Sequence, residues 1–476
     1  MINLNQFYID GKWTAPASDR QSIPFFDPST EQAIGSVALA EEADVNAAVA
    51  SAAAALPAFA ALTVGERIAH AQSVLEVYQS RLDDIAQAVS LEMGAPLETV
   101  SKAAQAPLGL LHLQSAIEAA EKFEWQHMQG DTLIAKEPVG VCAMITPWNW
   151  PLNQIVCKVA PAIISGCTMV LKPSEMSPYS AKIFAEVIDA STLPAGVFNM
   201  IQGDGAVIGP VLSSHPGVDM VSLTGSQRAG SSVSKCAADT VKRVSLELGG
   251  KSANIVLPDA DLEVAVQAGV AGMVLNSGQS CNAPSRMFVH ESQLNEVESI
   301  AAAAMEAVVV GPPSDPATTM GPIANQRQFQ RVQSLIQSGI DEGAKLVVGG
   351  TGLPDGISVG YFVKPTVFSE ATNDMKIARE EIFGPVLTII PYKSEEEAIE
   401  MANDTAYGLS GYVWSGSIEK SKEVALKLRT GMVHINGAPF DITAPFGGYK
   451  QSGNGREWGA AGIEEFVETK AMMGAA

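Results

Sequence analysis

The segment VGVCAMITPWNWPLNQIVCKVAPAIISGCTMVLKPSE, residues 139–175, carries an apolar run, a helix-length stretch and a second apolar run. Both runs are apolar at almost every position, as expected of strands covered on both faces of a parallel sheet. Pro151 stands where a helix would place its first turn. The alternation continues through VFNMIQG (197–203), DMVSLTGS (219–226) and RVSLELGG (243–250), with helical stretches between them. Strand and helix in strict alternation imply parallel βαβ units. The helix expected from Pro178 has Ala181, Phe184, Val187 and Ile188 on one stripe, and Lys182, Glu186 and Asp189 off it.

Upstream, residues 41 to 120 are rich in Ala, Leu, Glu and Gln at helical spacing and read as mostly helix. The Ala-rich stretch from Ala47 to Leu62 holds Ser51 and Pro57 and reads as a soluble helix and its end. Asp10-Gly11 between aromatic and apolar residues predicts a hairpin. Downstream, a second α/β stretch spans about 262 to 437. It has a long helix ending near Asn276 and strands at RMFVH, FVKPTVF, VLTIIPY and GYVWS. In such folds ligands bind at strand carboxyl ends or between domains.

A chain of 476 residues, 47% apolar and 17% charged, can fill two or three domains. A net charge of −22 with no Lys/Arg block excludes a nucleic-acid coat and an anionic membrane surface. The start reads as no secretory signal, and no uninterrupted apolar run is long enough to predict a membrane span. Five cysteines, an odd and sparse set, predict no disulfide framework and a reducing compartment, the cytoplasm. Six scattered histidines without HExxH spacing predict no metal site.

Cys142 in a strand, Cys157 and Cys236 in helices, and Cys167 at a turn read as buried structural thiols. Cys281 lies instead in the polar loop NSGQSCNAPSR, where backbone donors could leave a thiol exposed and ionised, so that it is either a nucleophile or an exposed thiol without a role. Glu247 stands between Leu246 and Leu248 at a strand end. Burial would raise its pKa towards that of a useful base, unless it pairs with a Lys or Arg. Asn149, in TPWNWP, can donate to an oxyanion or merely cap a helix. Lys172 and Glu175, in LKPSE, lie where a nucleotide ribose would bind, or form a solvated pair. Gly203, Gly205 and Gly209, with Gly225 and Gly230, make glycine turns after strands, and neither set fits the Rossmann fingerprint.

Together, TPWNWP, LKPSE, LTGS, LELGGKS, GQSC, EEIFGPV and the final NGAPFDITAPFGGYKQSGNGRE resemble the aldehyde dehydrogenase superfamily in order and spacing. The resemblance implies two Rossmann-like, parallel-sheet α/β domains and a small β oligomerisation arm. Residues 1–122 and 140–248 would form the NAD(P)-binding domain, 249–440 the catalytic domain, and 123–139 with 441–476 the arm and tail. It implies Cys281 as nucleophile, Glu247 as general base, Asn149 as oxyanion donor with the Cys281 N–H, and Lys158 and Glu457 as a proton relay. Thr146, Pro147, Trp148, Lys172, Ser174, Glu175, Gly205, Gly209, Thr224, Gly225, Ser226, Leu248, Gly249, Glu381 and Phe383 would hold NAD, or NADP, with Glu175 favouring NAD.

The implied reaction oxidises an aldehyde to an acid through a thiohemiacetal and a thioester. The alternatives are transfer of the acyl group to coenzyme A, which would not need Glu247, and a catalytically silent homologue. The implied partners are a small aldehyde and further copies of the chain, as dimer or tetramer. The wider match in QSCNAPSR and FGGYKQSGNGREWG is similar to members acting on aliphatic or ω-oxo acid aldehydes. Leu223 replaces the family's common Phe, and Ser280 and Asn282 flank Cys281 where cysteines can stand, which bears on substrate range.

Overall fold

The computed structural model describes residues 1–18 and 22–476. Its first large sheet runs Arg243–Glu247, Met220–Thr224, Val141–Ile145, Thr168–Lys172, Phe198–Met200, all parallel. The hairpin Phe7–Ile9/Lys12–Thr14 extends it antiparallel, turning at Asp10 and Gly11 with φ of 54° and 68°. The registers Ile145↔Lys172 and Thr224↔Glu247 bring the strands' carboxyl ends level along one rim. Helices cover both faces, and every residue of the strand Val141–Ile145 is buried, as its unbroken apolar run predicts.

The helix Pro151–Ser165 starts on its proline and stops at Gly166 in the left-handed conformation (φ 87°), while its whole length is buried. The helix Pro178–Asp189 buries the expected stripe and leaves Lys182 and Glu186 off it. The Ala-rich helix runs on through Pro57 to Ala60. By length and composition Glu42–Ala60 could cross a membrane. Here Val45, Ala48, Val49 and Ala52 pack against the first sheet.

The second large sheet runs Lys345–Val348, Thr366–Ser369, Val386–Tyr392, Arg286–His290, Ala253–Val256, Ser410–Trp414, Met432–Ile435, parallel except for its first, antiparallel edge strand. The run FVKPTVF is only half strand: pairing starts at Thr366, after Pro365, which has no N–H to give a ladder. Among the elements outside the sequence reading, two stand apart from the large sheets. One is a small sheet of Ile2–Leu4, Gln32–Val37 and Ile23–Asp27. The other is a π-helix, Leu97–Gln105, leading into the helix Ala106–Lys122.

Gln126–Gln129, Thr132–Pro138 and Val467–Met473 form a separate three-stranded antiparallel sheet. The stretch before the last strand runs back along the outer edge of Arg243–Glu247. Gly455 N–H donates to Leu246 O (3.0 Å), and Leu248 N–H donates to Ser452 O (2.8 Å). The first sheet's edge is thereby covered.

Candidate active site

The helix Leu262–Val274 is followed, after Leu275, by three consecutive left-handed residues, Asn276 (φ 53°), Ser277 (φ 56°) and Gly278 (φ 71°), before Gln279, Ser280 and Cys281. Two of these are not glycine, so the turn is held against a backbone preference, and buried side chains hold it. Asn276 Nδ2 donates to Asn149 O (2.9 Å), Gln279 Nε2 to Asn276 O (3.1 Å), and Ala324 N–H to Gln279 Oε1 (2.9 Å). Asn149 does not cap its helix. Its Nδ2 donates to Gln279 O (3.0 Å), two residues before Cys281. Trp150 Nε1 donates to Ser280 Oγ (2.8 Å), a second tie between the two segments.

Cys281 lies partly buried on a cavity of about 460 Å³ whose walls include Leu108, Leu111, Trp150, Tyr412, Phe446 and Trp458. Among the described residues that line it there is no Asp, Glu, Lys or Arg. The thiol is not the exposed, ionised group that the polar loop suggested. Burial pushes its pKa up, and the charges of Glu381, Glu247 and Glu457 push it further. Cys142, Cys157 and Cys167 are buried as expected, but Cys236 is only partly so, on a helix that packs one narrow face.

Glu247 ends the strand Arg243–Glu247, 2% exposed, and neither carboxylate oxygen has a hydrogen-bond partner. Among the described residues no Lys or Arg pairs with it. Burial, then the charge of Glu457, raises its pKa well above the ordinary value, against Lys158 and Arg456. Gly447 makes room for it, since a Cβ there would stand 2.7 Å from Glu247 Oε1. Next to it, Lys158 and Glu457 form a buried ion pair, and Cys157 Sγ donates to Glu457 Oε2 (3.2 Å). Burial works against the Lys158 ammonium, but Glu457 outweighs it and holds the pKa above its usual value.

Farther along the rim, Lys172 Nζ meets Glu175 Oε2 at 2.7 Å. This is not a solvated pair: the lysine side chain is 3% exposed, the glutamate 27%. A Cβ on Gly205 would come within 3.2 Å of Lys172 Nζ, so the start of the helix Gly205–Ser214, with Gly209 one turn in, shares this corner. Ser174 Oγ accepts from Met176 N–H (3.2 Å) and Ser226 Oγ from Ala229 N–H (3.3 Å), the latter capping the helix Gln227–Ala238. Gly225 N–H donates to Glu247 O (3.0 Å). The hydroxyls of Thr146 and Thr224 are buried without partners. Leu248 is buried and packs so closely on Gly230 that a Cβ there would stand 2.7 Å from its Cδ1.

Where the two sheets face each other, Trp148, beside the half-buried Pro147, meets Phe383 edge-on at 5.5 Å, and Phe383 has φ 58°. Glu381 Oε1 accepts from Gly250 N–H (3.0 Å), and a Cβ on Gly249 would fall 2.2 Å from its Oε2. Glycine at 249 is thus required by a close approach. Burial raises Glu381 to about 7 and lowers the neighbouring Lys251 to about 7. Sequence reasoning had not singled out Lys251, Tyr412, Trp458, Asn276 or Gln105. Tyr412 sits in a run that reads as plain strand, and its OH donates to Asn282 O (2.9 Å).

The description aldehyde dehydrogenase family belongs to the family model that matches residues 13–472. The chain is 53% identical over 474 residues to a 3-succinoylsemialdehyde-pyridine dehydrogenase of a Pseudomonas species, covering 100% of this chain and 99% of that protein. Its structure is similar to that of a cysteine-to-alanine variant of aldehyde dehydrogenase C from Pseudomonas syringae in complex with NAD+ and octanal, at 50% identity and TM-score 0.98, covering 99% and 97% of the two chains. It is also similar to a Mycobacterium tuberculosis aldehyde dehydrogenase complexed with NAD+, at 40% identity and TM-score 0.96, covering 99% and 98%.

Proposed function

The chain belongs to the aldehyde dehydrogenase family, and from that premise we propose that it oxidises a neutral, largely apolar aldehyde to the carboxylic acid with NAD+. The observation that carries this reading is Cys281 on an uncharged cavity, with the Asn149 amide tied to its loop and an unpaired, buried Glu247 across the domain boundary. The lining favours neutral substrates because it offers no cation to a carboxylate-bearing aldehyde.

The residues of the rim fit NAD+. Thr146 and Thr224 carry orphaned hydroxyls, Glu175 projects partly exposed beside Lys172, and Gly249 leaves space at Glu381. Lys172 and Glu175 would hold the adenosine ribose. The carboxylate would repel a 2′-phosphate, which favours NAD+ over NADP+. Gly225 and Ser226 would approach the pyrophosphate, Glu381 and Phe383 the second ribose. When bound, the cofactor supplies a hydride acceptor.

Cys281 gives up its proton to water and adds, as the thiolate, to the aldehyde carbonyl, giving the oxyanion of a tetrahedral thiohemiacetal. Asn149 Nδ2 and the Cys281 backbone N–H stabilise its oxyanion, about 3 kcal/mol per donor. Loss of hydride from the carbon leaves a thioester. Glu247 takes a proton from water, the hydroxide attacks the thioester carbonyl, and the acid departs as the Cys281 thiolate is released. Lys158 and Glu457 behind Glu247 carry that proton away. We also propose that the chain assembles as a homodimer or homotetramer through its three-stranded sheet. Exposed Met128, Met472 and Met473 and unpaired strand edges support this. Five free thiols suit a reducing compartment such as the cytoplasm.

The test is reduction of NAD+ and of NADP+ against neutral and carboxylate-bearing aldehydes, with Cys281→Ala as control. Turnover of neutral aldehydes that the substitution abolishes is the expected result. No turnover, or turnover that survives the substitution, overturns the mechanism, and a requirement for coenzyme A overturns the hydrolytic step.

A further inference from the structure

The π-helix Leu97–Gln105 is an uncommon element, and such turns concentrate at functional sites. Ser101 N–H reaches back five residues to Pro96 O (2.8 Å), and Ala106 N–H reaches to Ser101 O. The widened turn ends on Gln105, which is fully buried. Gln105 Nε2 donates to Asn149 O (3.0 Å) and to Asn276 Oδ1 (3.3 Å). Asn149 O therefore accepts from two amides, Gln105 and Asn276, while Asn149 Nδ2 holds Gln279 O. The Nε2 group faces three acceptors, these two oxygens and Met93 Sδ (3.8 Å), which fixes the orientation of the Gln105 amide. Its Oε1 is left buried without a partner, a cost that an apolar side chain of the same size would not carry.

We infer that Gln105 is a positioning residue for the oxyanion site: through the Asn149 carbonyl and Asn276 it fixes the Asn149 amide against the Cys281 loop. This rests on the proposed thioester mechanism. Gln105 touches neither aldehyde nor cofactor in that mechanism, so its loss disturbs the geometry in which charge develops and not the binding of substrate. Ala103 and Ala104 on the same helix line the aldehyde cavity, so one element forms a wall of the cavity and braces the chemistry at its floor.

The test uses Gln105→Met, which keeps length and helix propensity and removes both donors. The readouts are octanal oxidation with NAD+, hydrolysis of 4-nitrophenyl acetate without cofactor, and alkylation of Cys281 by iodoacetamide, which forms no oxyanion. The expected result is a fall in kcat of about ten- to a hundred-fold in the first two reactions, with KM and the alkylation rate within about threefold of the parent. An unchanged kcat overturns the inference, and so does a parallel loss of alkylation, which would mean general disorder of the site. If Gln105→Met does not fold, Gln105→Asn, an amide one methylene shorter, carries the same expectation: lower kcat at parental KM supports the inference and parental kcat overturns it. A parent that oxidises no aldehyde would overturn the functional reading and this inference together, whereas an active parent with an unimpaired variant overturns this inference alone.

Discussion

Glu247 has no hydrogen-bond partner and a pKa raised by burial and by Glu457, so it holds a proton at pH values where an ordinary carboxylate has lost it. A general base works deprotonated, so the rate of thioester hydrolysis is expected to rise with pH, with its midpoint well above the ordinary carboxylate range. Glu247→Gln removes the base and leaves Cys281 and Asn149 in place. The expected outcome is one rapid equivalent of NADH per active site followed by a steady state about 10²- to 10⁴-fold slower, read by stopped-flow absorbance. Cys281, Glu247 and Asn149 were legible as candidates because each stands in a short motif of unusual local chemistry: a thiol among polar residues, a carboxylate between leucines, an amide at a strand end. Those surroundings left each open to a bland reading, and the order and spacing of the motifs together assigned the roles. Gln105 was not legible. It occupies a helix like any other glutamine, and only the fold brings it to Asn149 and Asn276.

Among the elements, the helix Leu82–Met93 is joined to the start of Pro178–Asp189 by Glu92, 1% exposed, whose carboxylate accepts from Tyr179 N–H (2.7 Å) and Ser180 N–H (3.0 Å). Burial outweighs these bonds and raises Glu92 to about 7 from an ordinary 4.5. Between those values the native chain binds a proton that the unfolded chain has released. Its contribution to stability is therefore complete below the ordinary value and is lost as pH rises through about 7. Glu92→Gln is expected to flatten the fall in stability from pH 5 to pH 7 by up to about 1.4 kcal/mol per pH unit, measured as urea midpoints. Glu381 shifts in the same sense and keeps part of the slope in the variant. Elements with repeated patterns were legible, namely the strands of the first sheet and the helical region, and the hairpin at Asp10-Gly11 was legible from its turn residues. The small sheet of Ile2–Leu4, Gln32–Val37 and Ile23–Asp27 was not, because its strands carry no unbroken apolar run of the kind that marks the first sheet.

At the scale of the whole molecule, two parallel sheets face each other across the site, and the tail joins that site to the three-stranded sheet. Removing residues 467–476 takes away the strand paired with Thr132–Pro138. It also removes the Val467 carbonyl that accepts from Arg243 Nη1 (2.7 Å), on the strand that carries Glu247. The truncated chain is expected to sediment as a monomer and to lose activity. The alternation of strand and helix made the two α/β halves legible from sequence. The route of residues 446–457 was not, because a glycine-rich stretch has no periodicity to show what it will cover. That route has a further consequence. The backbone that backs Glu247 through Gly447 and Gly455 continues through the short helix Gly459–Glu465 into the strand Val467–Met473, so the proposed base and the proposed subunit contact are joined by one stretch of chain. Mass action then reaches the chemistry: serial dilution is expected to lower activity per milligram as the subunits part, and added protein at the same substrate concentration to restore it.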